Sequence, residues 1–150
     1  MIELKSLRTS EGFSLIELVI VLFLISIILL IAIPSVNHQM TKMETAYFLK
    51  ELEHDLYYYQ MYAMSNGRSV RFVFSATSPR YTVVEGVRTI HHKEGPDGIR
   101  FSRSTLSLNE LRFLGTGGVQ KAGKIEIYTK DENYQLIFHL VRGRFYFAEL

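Results

Sequence analysis

From Leu15 to Ile33 every residue is apolar except Glu17 and Ser26, a run that predicts a hydrophobic helix near the start of the chain. Leu18 to Ile33 alone would cover about 24 Å at about 1.5 Å per residue. Counted from Phe13 the run has 21 residues, enough to span a bilayer, and it then includes Glu17. Pro34 follows, where a missing hydrogen bond and a crowded preceding turn kink a helix without ending it. Beyond it the pattern becomes amphipathic. Ala46, Leu49, Leu52, Leu56, Tyr59 and Ala63 recur every three or four residues, while Lys50, Glu51, Glu53 and Asp55 fall between them. Asn66 and Gly67 supply the stop.

From Ser69 onward the period shortens to two and β-branched and aromatic residues dominate. Strands are expected at about 69–75, 80–85, 99–102, 111–114, 124–129, 133–140 and 144–149, with turns at Ser78-Pro79, Gly95 to Gly98, Gly115 to Gly118, Lys130 to Asn133 and Arg142-Gly143. The expected fold is α+β: one helix from Phe13 to about Asn66, roughly 80 Å long, its second half packed against an antiparallel β-sheet head.

Composition changes this picture little. The chain has 150 residues, room for one domain, and 47% of them are hydrophobic, with a large share of the hydrophobicity in the N-terminal run. There is no cysteine, so disulfides, thiol nucleophiles and thiolate metal sites are excluded. The net charge of +2 is too small to name a partner. Its distribution is uneven: from Arg68 to Arg112 seven Arg and one Lys face Glu85, Glu94, Asp97 and Glu110.

Catalytic chemistry is not expected. His91-His92 lack a third ligand at useful spacing and are expected in a surface turn, so no metal is called for. His38, His54 and His139 are isolated. Gly115 to Gly118 lacks the following Lys-Ser or Lys-Thr of a phosphate-binding loop, and no nucleophile elbow or carboxylate pair stands out. Of Tyr57, Tyr58, Tyr59 and Tyr62, core packing accounts for Tyr59; the others are open to roles as interfacial anchors, partner contacts or a cap on the sheets.

Arg71-Phe72, Arg100-Phe101, Arg112-Phe113 and Arg144-Phe145 interleave cations with aromatics, a mixture suited to gripping phosphates and stacking on bases. Period two supplies a simpler reason: on a half-buried strand Phe points in and Arg points out. Direct DNA contact through Arg71, Arg100, Arg112 and Arg144 is therefore the alternative, and an indirect relation to DNA the expectation.

The polar stretch Met1 to Gly12 carries Lys5 and Arg8, the kind of flank that stays cytoplasmic. A secretory signal fits residues 1–36 poorly, because the apolar run is long, holds an acid near its start and lacks a small-x-small exit site. A plain uncleaved anchor fits the same residues. Gly12-Phe13-Ser14-Leu15-Ile16-Glu17, however, agrees at every position with the class III signal G-F-[ST]-L-[IL]-E. In this the chain resembles the type IV filament proteins, the pilins and the pseudopilins of type II secretion and bacterial DNA uptake. Pro34 falls at the usual kink of that family.

The resemblance implies that residues 1–12 are a leader, that prepilin peptidase cuts between Gly12 and Phe13 in the cytoplasm, and that the new Phe13 amine is N-methylated. Residues 13–34 would be the transmembrane and polymerisation helix, and residues 35–150 the amphipathic helix and head. Glu17 would pair with the N-terminal amine of an adjoining subunit. The head resembles the minor pseudopilins of the secretion H type and fimbrial T type through Phe113 to Gly118 and the strand that follows. Its closing segment, Leu136 to Leu140, Gly143 and Arg144 to Phe147, is similar to that of the D-type competence pseudopilins of Gram-positive bacteria. Lack of cysteine, short length and this ending favour DNA uptake over protein secretion. Implied partners are other major and minor pseudopilins, prepilin peptidase, an assembly ATPase with its platform protein, and the cytoplasmic membrane. The N-terminus would lie in the cytoplasm and the head outside, on a surface filament after assembly. No cofactor is implied. A membrane-tethered binding protein that never polymerises is the third reading.

Overall fold

The computed structural model describes residues 14–140 and 143–150, with side chains throughout except 31–38. Helix α1 runs unbroken over Leu15–Asn66, and eight strands follow among the described residues: β1 Val70–Phe74, β2 Arg80–Glu85, β3 Arg88–Glu94, β4 Arg100–Arg103, β5 Arg112–Phe113, β6 Gly123–Tyr128, β7 Asn133–Phe138 and β8 Phe145–Glu149. The chain divides into two compact units, Met1–Gln39 and Met40–Leu150. The helix stops as its sequence predicts. Gly67 takes φ 63°, its N–H donates to the Met64 carbonyl at 3.3 Å, and the Arg68 N–H donates to the Ala63 carbonyl at 3.2 Å. Both bonds belong to a Schellman cap, which glycine enters without a Cβ penalty.

In the second unit the strands form two antiparallel four-stranded sheets, ordered β3-β2-β1-β5 and β4-β6-β7-β8. Period two decides which residues enter the core. Val70, Phe72 and Phe74 of β1 are buried while Arg71 and Val73 are only partly covered, and β6 buries Ile125 and Ile127. The helix contributes Phe48, Leu52, Leu56, Tyr59 and Ala63. Phe48 links all three layers, its ring lying 5.9 Å from Tyr81 of β2 and 6.5 Å from Phe101 of β4.

Two expectations change. The buried helical seam begins at Phe48, whereas Ala46 is exposed. Residues 88–94, expected to include a surface turn, form β3 and hold His91 and His92 within the first sheet. A bulge hides this strand from a period-two reading. Val83 pairs with His91 and Val84 with Thr89, so Ile90 is the extra residue.

Candidate functional site

Two regions carry features beyond core packing. The first is the N-terminal part of α1. The Ser14 carbonyl starts the helix by accepting the Glu17 N–H at 3.0 Å and the Leu18 N–H at 3.2 Å, and Ser14 to Glu17 has the spacing of a capping box. Every described side chain from Leu15 to Leu30 is exposed, Leu15 at 81% and Leu30 at 79%. Two residues of this stretch are polar. Ser26 meets its own need by donating Oγ to the Leu22 carbonyl at 2.8 Å, a back-bond that hides a hydroxyl within an apolar helix. Glu17 has no side-chain partner among the described residues. The apolar run is described as far as Leu30, and among the described residues no helix is long and apolar enough to cross a membrane. Gly12 and Phe13, the expected cleavage and methylation positions, lie outside the described residues. Pro34 lies within α1, so it does not end the helix, and its side chain is outside the described set.

The second region is the attachment of the helix to the sheets in Met40–Leu150. The Tyr81 hydroxyl donates to Asp55 Oδ2 at 2.6 Å, and Lys93 Nζ reaches Glu51 Oε1 at 2.5 Å. Burial first, and the bond to Asp55 second, push the Tyr81 phenol far above its ordinary value. The Glu51 bond raises Lys93. His91 Nε2 lies 3.0 Å from Asp55 Oδ2, yet it lacks the alignment of a hydrogen bond and is shielded from water. The contact becomes an ion pair when the ring is protonated. Further along, Gln60 Nε2 donates to the carbonyls of Gly117 at 2.7 Å and Gly143 at 3.2 Å, closing the end of the helix onto the glycine loop.

His91 and His92 point apart, His91 to Asp55 and His92 with Nδ1 3.5 Å from Thr82 Oγ1. Among the described residues no group of three or more His, Cys, Asp or Glu is placed to hold a metal. Tyr59 is in the core as expected. Tyr58 meets it edge-on at 5.0 Å, Tyr62 is partly buried against the core, and Tyr57 packs on Phe145 at 4.4 Å.

The four Arg-Phe pairs obey the strand period: Phe72, Phe101, Phe113 and Phe145 are buried, and each preceding Arg is not. The arginines do not gather into one site. Arg71 and Arg112 are direct cross-strand neighbours. Arg100 lines one cleft, and Arg144 another with Tyr57, Gln60, His139 and Tyr146.

Residues 7–33 match the family model of the prokaryotic N-terminal methylation motif. The fold matches the minor pseudopilin EpsH from the Type 2 Secretion System of Vibrio cholerae with a TM-score of 0.59, 14% identity, and coverage of 71% of this chain and 97% of that one. The chain has a pilin-like fold and carries a prokaryotic N-terminal methylation motif. A search of curated proteins finds no match to this pilin-like chain. The methylation motif covers the N-terminal segment, and the pseudopilin likeness shows the helix-on-sheets fold.

Asp55, Glu51, Gln60 and Lys93 were not singled out by sequence. Asp55 and Glu51 sit at polar positions of an amphipathic helix, where a charge ordinarily faces water. The signal for β3 is the pair Gly86-Val87 between two extended runs, the mark of a two-residue hairpin turn. Gly86 has φ 60°, as such a turn requires.

Proposed function

We propose that this pilin-like chain is a minor pseudopilin of a pilus-like filament that serves DNA uptake. Prepilin peptidase removes residues 1–12, the Phe13 amine is methylated, and the apolar helix holds the subunit in the cytoplasmic membrane with its head outside. An assembly ATPase and its platform protein then bring it together with other pseudopilins. The subunit acts by assembly and not by catalysis.

The observation that carries this reading is the exposed apolar stretch Leu15 to Leu30 with Glu17, which has no side-chain partner among the described residues. An acid in such a helix is costly to a simple anchor, about 2.5–3.5 kcal/mol for Asp at a helix centre and less near an end. In a filament of similar helices it meets the amine of a neighbouring Phe13, and the pair rewards the docked register in a low dielectric. The lack of cysteine and the resemblance of the segment from Leu136 to Phe147 to competence pseudopilins support DNA as the cargo. Protein secretion is the second reading, favoured by the likeness to a pseudopilin of a secretion system.

Glu17→Val in the native host tests assembly. The variant should reach the membrane at normal level and be lost from sheared filaments, because the amine it leaves unpaired costs about 3–5 kcal/mol. Undiminished recovery in filaments would contradict the reading. Deleting the chain should abolish transformation and spare protein secretion; the reverse would install the second reading.

A further inference from the structure

Arg71 of β1 and Arg112 of β5 stand directly opposite one another. Such neighbours share a face of the sheet with Cβ atoms about 5 Å apart, and like charges so placed repel. Neither has a salt-bridge partner among the described residues. On its other side Arg71 faces Val84, and the nearby Glu110 is already engaged, its Oε2 accepting from Lys121 Nζ and the Ser107 N–H at 3.0 Å each. These bonds, the Ser107 N–H first, hold the Glu110 carboxyl below its ordinary range, so it stays ionised against Lys121. Arg71 Nε is shielded from solvent and has no hydrogen-bond partner among the described residues. A shielded guanidinium nitrogen without an acceptor is expensive, and a bound oxyanion removes the deficit.

The two arginines open into a cleft of about 350 Å³ completed by Asn109, Glu110, Gln120 and Lys121. Asn109 and Gln120 add amide donors that suit phosphate oxygens. A larger cleft of about 850 Å³ contains Arg100, Arg103, Ser107, Leu108 and the exposed Tyr128. Neither Arg100 nor Arg103 has an acidic partner among the described residues. The turn that runs through Ser107, Leu108, Asn109 and Glu110 lines both clefts, so two sets of arginines without a salt-bridge partner among the described residues flank one four-residue turn. A single small anion fills one such cleft; a chain of phosphates serves both.

We infer that the Arg71–Arg112 cleft is a phosphate-binding site that grips the DNA backbone, with the Arg100–Arg103 cleft as its continuation across the Ser107–Glu110 turn. This rests on the DNA-uptake reading. Contacts of this kind carry no base specificity and weaken with salt, because each neutralised phosphate releases counterions.

The test uses the full chain in neutral-detergent micelles and a fluorescein-labelled DNA duplex, titrated at several salt concentrations. The wild type should bind, and the double variant Arg71→Gln/Arg112→Gln should lose roughly tenfold or more in affinity and flatten the slope of log K against log salt by about one to two. Arg88→Gln, an exposed arginine on β3 away from both clefts, should bind as the wild type does, and thermal melts should show the double variant folded. No salt-sensitive binding by the wild type, or equal binding by the double variant, overturns the inference. Displacement of DNA by inorganic phosphate alone at comparable charge would make it a free-phosphate site, and displacement by poly-glutamate as effectively as by unlabelled DNA would assign it to a protein carboxylate; either also overturns it. The function reading is tested apart: chain deletion that leaves transformation intact refutes DNA uptake, whereas deletion that abolishes it while the double variant binds DNA normally refutes only the cleft.

Discussion

Tyr81 on β2 donates its hydroxyl to the Asp55 carboxylate on α1 at 2.6 Å, and the tyrosine is fully buried. The bond ties the first sheet to the helix through a polar contact inside an otherwise apolar seam. Its two ends are not equivalent. Asp55 retains some exposure and has His91 beside it, whereas the Tyr81 hydroxyl has Asp55 as its acceptor. Tyr81→Phe should therefore cost about 1.5 kcal/mol, and Asp55→Ala, which strands a buried hydroxyl, about 3 kcal/mol. Urea unfolding of the two variants checks the order; a Tyr81→Phe loss exceeding that of Asp55→Ala would contradict it.

Alkaline pH should loosen the head. Burial, followed by the charge of Asp55, raises Tyr59 from 10.0 to about 12. The bond to Glu132 raises Tyr134 to about 12, and burial raises Tyr81 further. A folded-state pKa above the unfolded one means that the folded state holds its proton longer. The associated stability is complete below pH 10 and is lost as pH climbs from about 10 through 12 and beyond. The urea midpoint should fall across that window, and Tyr81→Phe should make the fall shallower. Tyrosinate absorbance followed in parallel should show these phenols ionising only as the head unfolds.

The glycine loop gives a sharper steric test. Gly86 and Gly143 both have left-handed backbones, with φ of 60° and 59°. A Cβ at Gly86 meets nothing within 4 Å, while one at Gly143 collides with the Gly117 carbonyl oxygen and meets Gln60 Nε2 at 2.5 Å. Gly86→Ala should cost about 1–2 kcal/mol from backbone strain alone. Gly143→Ala should add an overpacking cost of about 1–3 kcal/mol, because backbone must move. Equal melting temperatures for the two variants would refute the latch formed by Gln60, Gly117 and Gly143.

The legible parts of this molecule were those written in a regular period. Leu52, Leu56, Tyr59 and Ala63 marked the buried seam, Gly67 marked the cap, and alternation placed Phe72 inward and Arg71 outward. Strand β3 was lost because Ile90 breaks the alternation at the bulge and because His91, His92, Lys93 and Glu94 look like a polar turn. The Asp55 network was lost for a related reason: pairing across 26 and 36 residues leaves no local trace. The cross-strand meeting of Arg71 and Arg112 is also a matter of register, which composition does not reveal. Glu17, in contrast, was conspicuous in sequence because an acid within an apolar run is anomalous before any coordinates are known.

The central claim is that this chain is processed and assembled as a pilin-like subunit through its N-terminal helix. Mass spectrometry of the protein from its native membrane tests it most directly. The account predicts a chain that begins at Phe13 with a methylated amine, with residues 1–12 removed. A native protein that still begins at Met1 would contradict it.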